Sequence, residues 1–343
     1  MWMGGGVLAA LFSFFLFHSL YAGGDLFVPH EYAPFEEQRA YWQHLIEKEG
    51  AENALTAFSV RVGSLSLNTQ HQLAHSFGAA LFQAEGIGGI FICDARYSFG
   101  CFHQFLGDAI QALGIERVPD LNTRCFDASS VSPISCTHGI GHGVLASLGY
   151  DDIALQKGLE ICKGLPGTEP IGGCYGGIFM EYNVRTMLAE QATVREYEGN
   201  VYAPCDSLAA EFVQGCIYWQ PQWWLVTVLD GVSSEKAYAK MGSYCREFAK
   251  TPELLRACFE GLGNIVEDEA EYEPLQARRL CDAAGAGTLS SVYCRSVGAN
   301  HFGIDGGEDQ AVLVCEDLQG DKRAYCMAYA KNEIGLAPEL REL

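Results

Sequence analysis

Fourteen cysteines fall along the 343 residues as seven pairs: 93/101, 125/136, 162/174, 205/216, 245/258, 281/294 and 315/326. The members of a pair lie 8 to 13 positions apart, and the second members recur at intervals of 35, 38, 42, 42, 36 and 32, the period of a two-helix repeat. This spacing predicts an all-α fold: a superhelix, or solenoid, of similar helical hairpins, each closed by its own disulfide. Cysteines paired at this density persist where the environment is oxidising, so the expected location is secreted or periplasmic.

The N-terminus agrees with that location. Met1 to Leu20 contains no charged residue and includes an apolar stretch from Val7 to Phe17, which reads as the core of a secretory signal ahead of a small-residue site at Ala22-Gly23-Gly24. An uncleaved membrane anchor is the second reading, although the apolar run is short of the ~20 residues that span a bilayer. Membrane contact is expected only through that segment, and the lack of a nearby cysteine argues against a lipoprotein. The chain therefore divides into a signal or anchor at 1–22, an N-terminal helical cap at 23–69, cysteine-paired repeats at 70–330 and a tail at 331–343.

A net charge of -21 and a sequence pI near 4.7 exclude nucleic acid as a partner, because a phosphate backbone requires a basic stripe to neutralise it. Between the cysteines the pattern is helical. A short apolar helix follows each second cysteine, as in Cys136-Thr-His-Gly-Ile-Gly-His-Gly and Cys174-Tyr-Gly-Gly-Ile-Phe-Met-Glu, where small residues one turn apart let helices approach closely. A second helix leads to the next first cysteine, so each bridge is expected to pin the end of one helix to the start of another. Phe35 to Thr56 reads as an exposed, mixed-charge helix. From Gln70 the repeat begins without a cysteine, which gives eight repeat-like units for seven bridges.

Candidate chemistry concentrates in the histidines. Five of the eight outside the signal segment, His71, His75, His103, His138 and His142, lie within about seventy residues. Four of them form two H-x-x-x-H pairs, which a helix presents on one face at the reach that a metal requires. Counted from the second cysteine of each unit, His103 and His138 occupy the same place, and Glu181 stands next to the place of His142. Five imidazoles and a carboxylate on one inner face exceed the needs of a single structural zinc. They suit one catalytic transition metal with supporting residues, or two metals sharing Glu181, the ion being zinc, copper or iron. Glu181 is the candidate ligand or general base. A histidine at a fixed repeat position can equally serve only to bond a neighbouring carbonyl. The strict H-E-x-x-H motif is absent, as are G-x-S-x-G, a phosphate loop and a haem attachment site.

The later units differ in chemistry. Tyr218, Trp219, Trp223 and Trp224 line the fourth bridged unit, where Pro221 is expected to kink or end the helix, and they read as packing or as the wall of an apolar pocket. In the next unit Glu260 and Asn264 take the places of His138 and His142. His301 reads as a cap or surface residue.

Two resemblances follow. Paired helices with one disulfide per unit, over roughly 70–330, resemble the secreted cysteine-rich branch of tetratricopeptide-like repeat proteins. His71-Gln-Leu-Ala-His75-Ser-Phe-Gly, Phe99-Gly-Cys-Phe-His103, Cys136-Thr-His-Gly-Ile-Gly-His142-Gly and Gly173-Cys-Tyr-Gly-Gly-Ile-Phe-Met-Glu181 resemble an uncharacterised family of secreted bacterial proteins with C-x-H-G-x-G-H units. This chain departs from that pattern at Thr69, where a cysteine is expected, and at Gln104, where glycine is. The resemblance implies a site and names no reaction. Two functional readings stand: an extracytoplasmic metal-binding protein, a metal-dependent hydrolase or oxidase if it is an enzyme, with an unknown small molecule or peptide as its partner, and a non-enzymatic solenoid that binds a peptide or protein on its concave face.

Overall fold

The computed structural model describes residues 28–94, 96–127, 133–187, 193–285, 287–331 and 333. The signal or anchor segment and nearly all of the tail lie outside the described residues. Among the described residues, every regular element apart from one two-stranded arm is a helix. In chain order they are α1 (Phe35–Glu49), α2 (Ala51–Val62), α3 (Leu67–Glu85), α4 (Gly100–Leu113), α5 (Val118–Asp127), α6 (Pro133–Leu148), α7 (Asp152–Lys163) and α8 (Gly173–Asn183). The arm follows, with β1 (Val184–Arg185) antiparallel to β2 (Thr193–Val194). Then come α9 (Ala210–Trp223), α10 (Ser234–Phe248), α11 (Pro252–Asn264), α12 (Val266–Glu269), α13 (Pro274–Gly285), α14 (Leu289–Asp305), α15 (Glu308–Cys315) and α16 (Gly320–Ala330). No described helix is long and apolar enough to cross a membrane.

All seven cysteine pairs are disulfide-bonded as their spacing predicts, with Cα–Cα separations from 5.4 to 5.8 Å, and no cysteine is free. In every unit the second cysteine sits within the first turns or the middle of an inner helix. Five of the first cysteines lie in the last turns of a preceding helix, in α5, α7, α10, α13 and α15. Cys93 and Cys205 depart from this, because a 3-10 turn at Gly86–Phe91 and irregular turns around 201–207 stand where a helix was expected.

The inner helices, all of them cysteine-bearing except α3, form a continuous row. Along it α3 packs on α4, α4 on α6, α6 on α8, α8 on α9, α9 on α11, α11 on α14 and α14 on α16. Glycine makes the closest crossing possible. A Cβ on Gly177 of α8 would lie 1.9 Å from the His138 carbonyl oxygen of α6, and one on Gly141 would lie 2.1 Å from the Cys174 carbonyl oxygen. These glycines therefore admit a neighbouring backbone, and that contact brings side chains of successive helices onto a common seam.

The segment before α3 differs from the single exposed helix expected there. It is two helices broken at Gly50, whose φ of 86° favours glycine, and it carries a buried face. Aromatic packing explains that face: Trp42 of α1 and Phe58 of α2 meet Phe77 of α3 with ring centroids 5.1 to 5.9 Å apart. Pro221 lies inside α9, which gives way to a π-helical turn at Trp224–Val228. Trp223 and Trp224 are fully buried, and their indole N–H groups donate to the Arg195 and Val201 carbonyls. The apolar core divides near this point, one cluster running from Trp42 to Cys216 and another from Ile217 to Ala330.

Candidate metal centre

Three consecutive inner helices bring all five candidate histidines together. His71 and His75 project from α3, His103 from α4, and His138 and His142 from α6. Each i,i+4 pair is closed on itself, with Nε2 of His71 3.2 Å from Nε2 of His75 and Nε2 of His138 3.2 Å from Nε2 of His142. His103 lies between the pairs. Its ring centroid is 5.4 and 5.5 Å from those of His71 and His75, and 5.3 and 4.6 Å from those of His138 and His142. One ligand atom from each of His71, His75 and His103 falls within a 4.8 Å group, and the same holds for His103, His138 and His142.

The outward-facing ring nitrogens meet acceptors. His71 Nδ1 donates to the Tyr97 carbonyl at 2.9 Å and His142 Nδ1 to Glu181 Oε2 at 2.8 Å. His75 Nδ1 faces Gln104 Oε1 at 3.4 Å, and the amide is turned that way because its Nε2 donates to Asp108 Oδ1 at 2.8 Å. His138 Nδ1 lies beside Gly176 at the start of α8, and the Gly173 backbone partly offsets the effect of burial on this ring. A carbonyl or amide oxygen can only accept, so the neutral rings of His71 and His75 carry their proton on Nδ1 and turn the Nε2 lone pair inward. Burial lowers the pKa of His71, His75, His103 and His138, which keeps these rings neutral.

Some supporting groups were not foreseen in the sequence. Tyr97, Ser98 and Phe99 all have positive φ, near 59°, 48° and 64°, and this left-handed turn without a glycine directs the Tyr97 carbonyl at His71. Gln104, noted only as a departure from a motif, orients His75. Behind His142, the carboxylate of Glu181 is wholly buried and accepts five hydrogen bonds. Besides His142 its donors are the Tyr150 hydroxyl at 2.7 Å, the Thr186 hydroxyl and amide at 2.6 and 3.1 Å, and the Met187 amide at 3.0 Å. Glu181 thus stands one shell behind the convergent nitrogens, on the far side of His142, whereas the sequence had suggested a ligand or general base.

Trp219 caps the inner end of the cluster, its ring 5.4 Å from that of His138 and its N–H bonded to the Ile171 carbonyl. At the opposite end a cleft of about 200 Å³ reaches His75, lined also by Phe35, Gln38, Gln104 and Thr186. Gln38 is buried, and its Oε1 has no hydrogen-bond partner. His301 lies on α14, outside both histidine groups. The slot equivalent to His138 in the fifth bridged unit holds Glu260, whose Oε1 accepts from Arg256, Tyr325 and Tyr329 and whose pKa burial raises. In α11 the same position is thus filled by a hydrogen-bonded carboxylate.

The chain matches no protein-family profile, no curated protein and no solved structure.

Proposed function

We propose that this is an extracytoplasmic metal-binding helical-repeat protein, whose seam of imidazoles holds a transition metal ion of the zinc, copper or iron kind. The observation that carries this reading is the facing of Nε2 lone pairs. In the His71/His75 pair two unprotonated nitrogens lie 3.2 Å apart, with each Nδ1 facing an acceptor on the outer side, and the Nε2 atoms of His138 and His142 are spaced alike. Two such lone pairs repel each other unless a cation lies between them. A tetrahedral ion with Zn–N-type bonds of ~2.0 to 2.1 Å sets its ligands about 3.3 Å apart, which is the spacing found.

His71, His75, His103, His138 and His142 are the proposed ligands. Every thiol is consumed in a disulfide, so the donors are nitrogen alone, a set suited to zinc, copper, iron or nickel. Glu181, Gln104 and the Tyr97 carbonyl act as outer partners that hold ring orientation, the usual companions of metal-bound histidine. The cleft beside His75 admits a ligand of a few heavy atoms, so a small molecule suits the centre better than a polymer. Seven disulfides support a periplasmic or secreted location, and the continuous helix row supports a superhelical stack.

Elemental analysis of protein purified in its oxidised form without chelators tests the reading. At least one equivalent of a transition metal is expected. A content below ~0.2 equivalents, with no uptake on dialysis against Zn(II) or Cu(II), overturns it.

A further inference from the structure

We infer that the centre is binuclear, with His103 as a bridging imidazolate between two metal ions; the inference rests on the metal-binding reading above. Two observations lead to it. The five rings resolve into two groups that share one member: His71 and His75 with His103, and His103 with His138 and His142. This follows the fold, because α4 packs between α3 and α6 and so carries His103 into the space between the two pairs.

The second observation is the bonding of His103 itself. His71, His75 and His142 each have an outer acceptor, as metal-bound histidines ordinarily do. His103 is buried, and its Nε2 has no hydrogen-bond partner. An ordinary terminal ligand needs a partner for its remaining N–H. A bridging ring needs none, since each of its nitrogens bonds to a metal.

Each ion then receives two Nε2 donors from one helical pair and one nitrogen of His103. Three protein ligands leave a position open for water or a small molecule, the pattern of a reactive rather than a structural site. Bonds of ~2.0 to 2.1 Å on either side of one imidazole ring place the ions roughly 6 Å apart. On bridging, the ring forms two metal–nitrogen bonds and releases its one N–H proton to solvent, and the resulting negative charge is offset by the two cations. The positions are unequal. The His71/His75 ion lies at the cleft, while the His138/His142 ion is enclosed by Trp219 and by His142, which has no exposed surface. The outer ion is therefore the one that exchanges with solvent.

Copper(II) is the probe. Oxidised protein stripped with EDTA is titrated with copper sulfate, bound copper is counted, and electron paramagnetic resonance is recorded at each step. Two equivalents are expected, the second replacing the isolated-ion signal with that of a magnetically coupled pair. His75→Ala is expected to bind one equivalent with an uncoupled signal, and His103→Ala to lose the coupling, with circular dichroism confirming the helical fold of each. One equivalent in the native protein, or two without coupling, overturns the bridge and leaves the metal-binding reading standing. No bound copper overturns the bridge, and if a parallel titration also leaves zinc unbound, the metal-binding reading falls with it. Two coupled ions in His75→Ala also overturn the assignment of the outer position.

Discussion

Glu181 shows how a residue's role is set by what surrounds it. Its two oxygens are saturated by donors from the turn before α7, from the segment after β1 and from His142, so it contributes orientation and charge to the ring. Glu181→Gln is expected to weaken metal affinity ~10- to 100-fold, the usual effect of losing an outer carboxylate, while the ion still binds. Competition with a chromophoric chelator measures this, and unchanged affinity would remove Glu181 from the centre. Burial also gives the metal-free protein a pH dependence. His71, His75, His103 and His138 have folded pKa values below the model-peptide value of 6.5, so below that pH the unfolded chain binds more protons than the folded one. Their contribution is intact above pH 6.5 and is lost as pH falls from there toward the lowered values. The urea midpoint of metal-free protein should therefore drop between about pH 7.5 and about pH 5.5, with a shallower drop in His103→Asn. The five histidines were legible because helical spacing and cysteine register are local properties of the chain. The outer partners were not: the Tyr97 carbonyl depends on three left-handed residues, and Tyr150 and Thr186 reach Glu181 only through tertiary packing.

At the scale of the helix, glycine at the crossings sets how closely the rings can gather. The glycines of the C-x-H-G-x-G-H segment read in the sequence as letting helices approach closely, and close backbone contact is what they make. Gly141 meets the Cys174 carbonyl, and Gly139 meets the Phe102 carbonyl immediately before His103. Gly177→Ala would set a Cβ 1.9 Å from the His138 carbonyl and force α8 away from α6. A destabilisation of ~3 kcal/mol is expected, near the upper end for overpacking, together with weaker metal binding, because the His142–Glu181 bond spans the same crossing. Thermal unfolding with and without metal checks this, and a melting temperature within a degree or so of the native value would contradict it. The break at Gly50 and the π turn after α9 were beyond local pattern. A glycine between two polar helical stretches does not reveal whether the chain turns there, and Pro221 signals a disturbance without specifying its form.

Over the whole molecule, disulfides and inner-helix packing divide the work of stability. Short loops of 8 to 13 residues make every bridge local, which is why the connectivity could be read from spacing. Replacing Cys125 and Cys136 together by alanine should cost ~2 to 3 kcal/mol by the chain-entropy argument, and should loosen α6, which carries the His138/His142 pair. Denaturant unfolding of that variant tests the estimate, and undiminished stability would show that packing alone holds the unit. The units share a framework and differ in chemistry: imidazoles occupy the seam from α3 to α6, while Glu260 with Tyr325 and Tyr329 occupies it further on. Repeat register exposed that contrast in the sequence, whereas the missing outer helices before Cys101 and Cys216 became visible only in three dimensions. The central claim is that nitrogen, and not sulfur or carboxylate, holds the ion. X-ray absorption at the metal edge of the loaded, oxidised protein tests it most directly. A first shell dominated by imidazole nitrogen at ~2.0 to 2.1 Å is predicted, and sulfur at ~2.3 Å, or a shell without imidazole scattering, would contradict it.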